Sequence, residues 1–131
     1  MLAKLLLPET SPFTVLLADT PSAIVSGPDG NLWATESSHV AKITTSGVET
    51  EFQLNNGNAS AGIVVGPDGN LWFTENSSLG KITTTGTLTE FPQNIFVNFS
   101  LLEGITSGPD GNLWFTAINN SKLANSPPVG I

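Results

Sequence analysis

GPDGNLW stands at 27–33, again at 66–72 and a third time at 108–114. Each copy opens with a tight turn whose chemistry is legible: proline presets φ, aspartate bonds the local backbone, and glycine accepts the positive φ that closes the bend. The likeness spreads outward from the heptapeptide. AIVSGPDGNLWATESSHVAKITTSGVETEF (23–52) aligns without a gap on GIVVGPDGNLWFTENSSLGKITTTGTLTEF (62–91), an offset of 39 residues. The third copy, from Gly104, keeps the first half of the pattern and loses the register after Thr116. A fixed period of this length dictates architecture before any single residue is interpreted.

Within one copy, 62–65, 71–74, 81–84 and 88–91 are short β-prone runs bounded by Gly, Pro, Asn, Asp or Ser, and they read as strands A to D of a meander. The triplets at 45–47 and 84–86 supply the C to D turn, and no helical periodicity runs for a useful length. Four-stranded units of about 40 residues that must bury their faces on one another specify an all-β chain of β-propeller blades. Trp33, Trp72 and Trp114 then pack between blades, as do Phe13, Phe52 and Phe91 at a spacing of 39. Lys42, Lys81 and Lys122 fall at nearly matching places and read as repeated solvent-facing charges.

The chain reads as one partial propeller: a C and D remnant over 1–17, a blade over 23–54, a second over 62–93 and an incomplete third over 104–131. Ala3-Lys4-Leu5 echoes Ala41-Lys42-Ile43, so the N-terminal residues supply strands C and D while the C-terminal ones supply A and B. About three blades cannot close a ring, and an open arc exposes strand edges and an apolar face. Either the chain belongs to a longer propeller, or copies associate head to tail, two of them giving a homo-oligomer of six blades.

Composition bounds the partners. Four basic against eleven acidic side chains give a net charge of -7, which repels phosphate backbones and anionic membrane surfaces, so neither nucleic acid nor membrane is expected as a partner. The absence of cysteine removes disulfides, thiolate metal sites and cysteine nucleophiles. Apolar runs near the start are broken by Pro8, Glu9 and Pro12, so neither a signal segment nor a membrane span is expected, and the cytoplasm is the default location.

The stretch GIVVGPDGNLWFTE at 62–75, followed by KITTTG and LTEFP, resembles the blades of the virginiamycin B lyase family. That resemblance implies a seven-bladed propeller that linearises streptogramin B antibiotics by magnesium-dependent elimination, a resistance activity. It further implies a His just before strand A, acting as base in one blade and as substrate contact in its neighbour. A magnesium-binding Glu is implied two residues upstream of that base, and another at the end of strand B. A base that removes a proton beside a cation that stabilises the developing anion suits such chemistry.

Carried over position by position, the His is replaced by Ser22, Ala61 and Glu103, and the upstream Glu by Thr20, Ala59 and Leu101. The strand-end Glu survives as Glu36 and Glu75, leaving Ala117 in the third copy. On these grounds Glu36 and Glu75 are the candidate magnesium ligands, and Ser22, His39 and Glu103 the candidate substrate contacts. No residue is assigned as catalytic. His39, the one histidine, reads as an exposed residue of the B to C loop. Glu103, one blade along from Glu75, offers a second carboxylate on the same face. The alternative to a lyase segment is a non-catalytic binding module or scaffold, gripping a small molecule, glycan or peptide with the loops at 55–61 and 94–103.

Overall fold

In a computed structural model of the chain, the residues described are 2–6, 10–55, 59–76, 78–91, 101–117 and 122–126. They form antiparallel sheets without a helix. β1 (Leu2–Leu6) and β2 (Thr10–Val15) make a two-stranded sheet. β3 (Pro21–Ser26), β4 (Leu32–Glu36), β5 (His39–Ile43) and β6 (Glu49–Gln53) make the first four-stranded meander. β7 (Ala59–Val65), β8 (Leu71–Glu75), β9 (Ser78–Ile82) and β10 (Leu88–Glu90) make the second. β11 (Leu102–Ser107), β12 (Leu113–Ala117) and β13 (Lys122–Ser126) make a three-stranded sheet. These are propeller blades in an arc that does not close, and the last sheet has a strand C beyond the A and B expected from sequence. No helix among the described residues is long and apolar enough to cross a membrane.

The heptapeptide does more than turn the chain. Gly27 N–H donates to the Asn31 carbonyl at 2.8 Å, and Gly30 takes φ 81°. Asp29 then accepts from the Asn31 side chain at 2.9 Å and from Trp33 Nε1 at 3.1 Å, so the turn and the first large core residue are one unit. Asp68 and Asp110 repeat the arrangement with Trp72 and Trp114. Burial pushes the Asp29 and Asp68 carboxyls up, but the Asn and Trp donors outweigh it and hold both below the usual range.

Strand C begins earlier than the alternation suggests, at Ser78 rather than Lys81. Thr83 is already part of the turn: its N–H donates to the Thr87 carbonyl at 3.0 Å and its hydroxyl accepts from Thr87 N–H at 2.9 Å. The repeated lysines are not simply solvent-facing. Lys42 and Lys81 stand opposite the tryptophans in the ladder, with their ammonium groups 5.5 and 5.4 Å from the indole centroids of Trp33 and Trp72. Lys42 also reaches Asp29 at 3.5 Å and donates to the Thr84 carbonyl of the next blade at 2.9 Å.

The core lies between sheets. Trp33, Val40 and Leu54 meet Ile63, Leu71, Phe73 and Ile82 across the first interface, and Leu79 meets Leu102, Phe115 and Ala117 across the second. Trp33 stacks on Phe52 and Trp72 on Phe91, with centroids 5.9 and 5.6 Å apart, each pair adding about 0.5–1.5 kcal/mol beyond burial. Phe13 and Lys122 carry no described side-chain surroundings. At the two ends of the arc the same faces are open: Ile24 is 52% exposed. Trp114 is half-buried, while Trp33 and Trp72 are buried completely.

Candidate functional site

The end of the blades opposite GPDGNLW collects the start of strand A, the end of B, the start of C and the linker entering each blade. Every strand A has a register break there: between Pro21 and Ala23, between Ala59 and Ile63, and between Leu102 and Ile105. Such bulges re-aim side chains. Ser22, Ala61 and Glu103 therefore sit in the bulge itself, inside strand A and not before it. The amide freed by the bulge is taken up by the strand-B threonine: Gly62 N–H donates to Thr74 Oγ1 and Gly104 N–H to Thr116 Oγ1, both at 3.1 Å. In the first blade Ser22 Oγ lies 3.2 Å from Thr35 Oγ1.

Glu103 is half-buried, and its carbonyl accepts from the Thr74 hydroxyl of the preceding blade at 2.8 Å. The blades approach so closely there that a Cβ on Gly62 would lie 2.6 Å from that carbonyl oxygen, which is why glycine holds the position. Leu101, at a place where the resemblance puts an upstream Glu, has φ 52°, the one positive φ of a non-glycine among the described residues.

His39 is not in a loop. It is the first residue of β5, half-buried, and its Nδ1 lies 3.2 Å from Asp19 Oδ2 and 3.2 Å from Ser38 Oγ. Ser38 also donates to Asp19, and these hydrogen bonds from Ser38 and then His39 hold the Asp19 carboxyl below the usual range. The group ties the linker to the B to C turn, together with Ser37 N–H on the Thr20 carbonyl at 3.1 Å.

Glu36 and Glu75 are the last residues of β4 and β8 and are 0% and 2% exposed. Sequence reasoning missed their partners, Glu51 and Glu90 on strand D. Burial, and next the Glu51 carboxyl, push Glu36 up to about 7, although Asp19 N–H donates to its Oε2 at 2.7 Å. Burial and then the hydrogen-bonded Glu90 carboxyl push Glu75 up to about 8. Among the described residues no N–H or hydroxyl reaches either oxygen of Glu75.

Magnesium demands six oxygens near octahedral geometry and keeps several waters. One buried carboxyl with a half-buried carboxyl beside it, and no cluster of three or more acidic or histidine side chains among the described residues, falls short of that donor set. The structure thus brings Glu36 to Glu51 and Glu75 to Glu90, and places Ser22 and Glu103 in separate bulges.

An open arc of propeller blades with a polar end at the strand-A bulges defines the class. The chain belongs to the virginiamycin B lyase family, whose model matches residues 9–130. Among solved structures it is similar to a catalytically inactive virginiamycin B lyase from Staphylococcus aureus with quinupristin, at 34% identity and TM-score 0.79, covering 92% of this chain and 43% of that one. A streptogramin B lyase structure shares 37% identity and TM-score 0.80, with 92% of this chain and 42% of that chain covered. A protein of unknown function from Bacteroides caccae, at 17% identity and TM-score 0.62 over 92% of this chain and 47% of that one, shares the fold alone. No curated protein sequence matches. The chain spans less than half the length of the two lyases.

Proposed function

We propose that this chain is an arc of a streptogramin B lyase-type propeller, taking part in the elimination that linearises streptogramin B-type cyclic depsipeptides. The base and the magnesium site are contributed by blades other than these. The observation that carries the reading is the match to two lyases at 34% and 37% identity over 92% of the chain, combined with bulge positions that hold Ser22, Ala61 and Glu103 where a base is required. In such a ring Glu103 and Ser22 face the substrate mouth, and His39 stands behind them at the head of strand C. The open faces at Ile24 and Trp114 are covered by further blades or by a second copy of the chain.

A second reading, a non-catalytic module binding a small molecule, glycan or peptide on the same end, draws on the lack of a base at all three bulges. Incubating the purified chain with quinupristin, with magnesium and with chelator, and following the linear product by mass spectrometry separates them. The expected result is no turnover by the chain alone, with saturable thermal stabilisation by the antibiotic. Magnesium-dependent turnover by this chain alone would overturn the assignment of the base to other blades. An unshifted melting temperature would instead refute the lyase-segment reading.

A further inference from the structure

The contact between the second four-stranded sheet and the sheet that follows it shows what one blade asks of the next. Ile105 of β11 lodges against Gly62 of β7: a Cβ on Gly62 would lie 3.0 Å from Ile105 Cγ2 and 2.6 Å from the Glu103 carbonyl oxygen. Two hydrogen bonds flank this seat, from Thr74 Oγ1 to the Glu103 carbonyl at 2.8 Å and from Ser107 Oγ to the Val65 carbonyl at 2.7 Å. Gly62 and Thr74 are buried beneath them.

The same parts recur at the two ends of the arc without their counterparts. The repeat aligns Gly104 and Thr116 with Gly62 and Thr74, yet both are exposed, in an open depression shared with Thr106 and Trp114. A Cβ on Gly104 would meet only Thr116 Oγ1, at 3.5 Å, an ordinary contact, and its φ lies outside the left-handed region. Nothing among the described residues requires glycine there. At the opposite end Ile24 and Ser26 align with Ile105 and Ser107. Ile24 is 52% exposed, whereas Ile63, the aligned residue of the second blade, is 8% exposed. One end carries the seat and the other the residue that fits it.

The strands divide the same way. Val15 of β2 shares a buried cluster with Ala34, Ala41 and Ile43, and Leu54, 39 residues on, shares one with Phe73 and Ile82, which match Ala34 and Ile43 in the repeat. β2 thus stands as strand D of a sheet preceding β3, with β1 as its strand C, and no described strand pairs with the other edge of β1. At the far end β11 and β12 are strands A and B. An open strand edge beside an exposed apolar face is a template for a complementary chain.

We propose that two copies of this chain join head to tail: β11 and β12 of one meet β1 and β2 of the other in a shared four-stranded blade, and Ile24 of the second copy seats on Gly104 of the first. β1 takes the strand C place that β13 holds in the single chain. By the template of the internal contact, Thr116 donates to the Ser22 carbonyl and Ser26 to the Ser107 carbonyl across the new interface. Repeating a heterologous contact of this kind once closes a ring of two copies. The inference does not rest on the lyase reading: such a ring still has Ser22, Ala61 and Glu103 at its bulges and no base, in keeping with the lack of turnover expected of the chain alone.

Sedimentation velocity and light scattering of the full chain, from micromolar to near-millimolar concentration, test it. The mass is expected to rise from 13.7 kDa to twice that value. Ala23, at the place of Gly104 in the first blade, shows that a methyl group can be seated, so the blocking variant is Gly104→Val, paired with Ile24→Asp at the other end. Each should weaken association roughly tenfold or more, as for loss of a buried Ile, and leave the melting temperature of the dilute chain unchanged. Gly62→Val, at the internal seat, should lower that temperature instead. An equimolar mixture of Ile24→Asp and Gly104→Val restores one wild-type contact, between Gly104 of the first variant and Ile24 of the second, and should associate where each variant alone does not. Should Gly104→Val fail to fold, Thr106→Lys, exposed on the same face, takes its place in both arms. A wild-type chain that stays monomeric at the highest concentration, a dimer that neither end variant weakens, or a mixture that remains monomeric overturns the proposal.

Discussion

Phe73 and Gly80 are cross-strand partners, and the same places in the first blade hold Ala34 and Ala41. A Cβ added to Gly80 would lie 2.3 Å from both Cε2 and Cζ of Phe73, whose ring is completely buried. The residue pair thus trades volume across the ladder: a large ring over no side chain, or two methyl groups. Gly80→Ala alone should cost about 1–3 kcal/mol as overpacking, less the roughly 0.5–1 kcal/mol by which Ala improves on Gly inside a strand. Phe73→Ala alone should cost about 3–5 kcal/mol in lost burial and cavity. In the Phe73→Ala background the ring that clashes is gone. There Gly80→Ala should be neutral or stabilising by up to about 1 kcal/mol. The double-mutant cycle should accordingly show a favourable coupling of about 1–3 kcal/mol, read from urea midpoints at constant m. Additivity within about 0.5 kcal/mol would refute the reasoning, because it would mean that the methyl group at 80 is limited by its other near neighbour, Glu75 Oε1 at 3.0 Å, and not by the Phe73 ring.

Acrylamide quenching should reach Trp114 and spare Trp33 and Trp72; if copies close the ring, raising the concentration into the range where light scattering detects a larger species should protect Trp114 as well. Protection of all three in a monomer would contradict the open arc. Asp68→Asn should cost about 1–2 kcal/mol, since Trp72 Nε1 loses a charged acceptor. Asp29, Asp68 and Asp110 have values lowered in the folded chain, so their stabilisation is present above the ordinary value of 3.8 and is lost as pH falls through the folded value. The wild type should therefore acid-unfold at a pH that Asp68→Asn raises, and an unmoved midpoint would count against the Asp–Trp link.

The blade was legible because its determinants are local. Pro28, Asp29 and Gly30 fix a turn with their own backbone and side chains, and Trp33 is four residues from the aspartate that binds its indole. Residues that work across the sheet were not legible from local pattern. Glu51 and Glu90 sit in TEF triplets that alternate like ordinary solvated strands, yet they face Glu36 and Glu75 across strand C. A signal was present: in a chain with only 11% charged residues, two glutamates per blade recur at the same 39-residue offset. Lys42 and Lys81 were misjudged for the same reason, since their places opposite Trp33 and Trp72 follow only once strand C is set to begin at His39 and Ser78. His39 looked like loop because Ser37 and Ser38 extend the polar run, whereas the turn uses only those two residues.

Placing the bulges inside strand A narrows where chemistry can arise. Ser22 is engaged with Thr35, and Ala61 brings no functional group. Glu103 alone combines an ionisable side chain with a bulge, and its main chain is pinned from behind by Thr74 of the preceding blade. Among the described residues no cation or base stands beside that carboxyl: the strand-end position paired with Leu102, Ala117, carries no charge, and the buried strand-B glutamates are turned to their strand-D partners. On the proposed reading the group that complements Glu103 comes from a further blade, so reactivity at the polar end and closure of the ring are one requirement and not two.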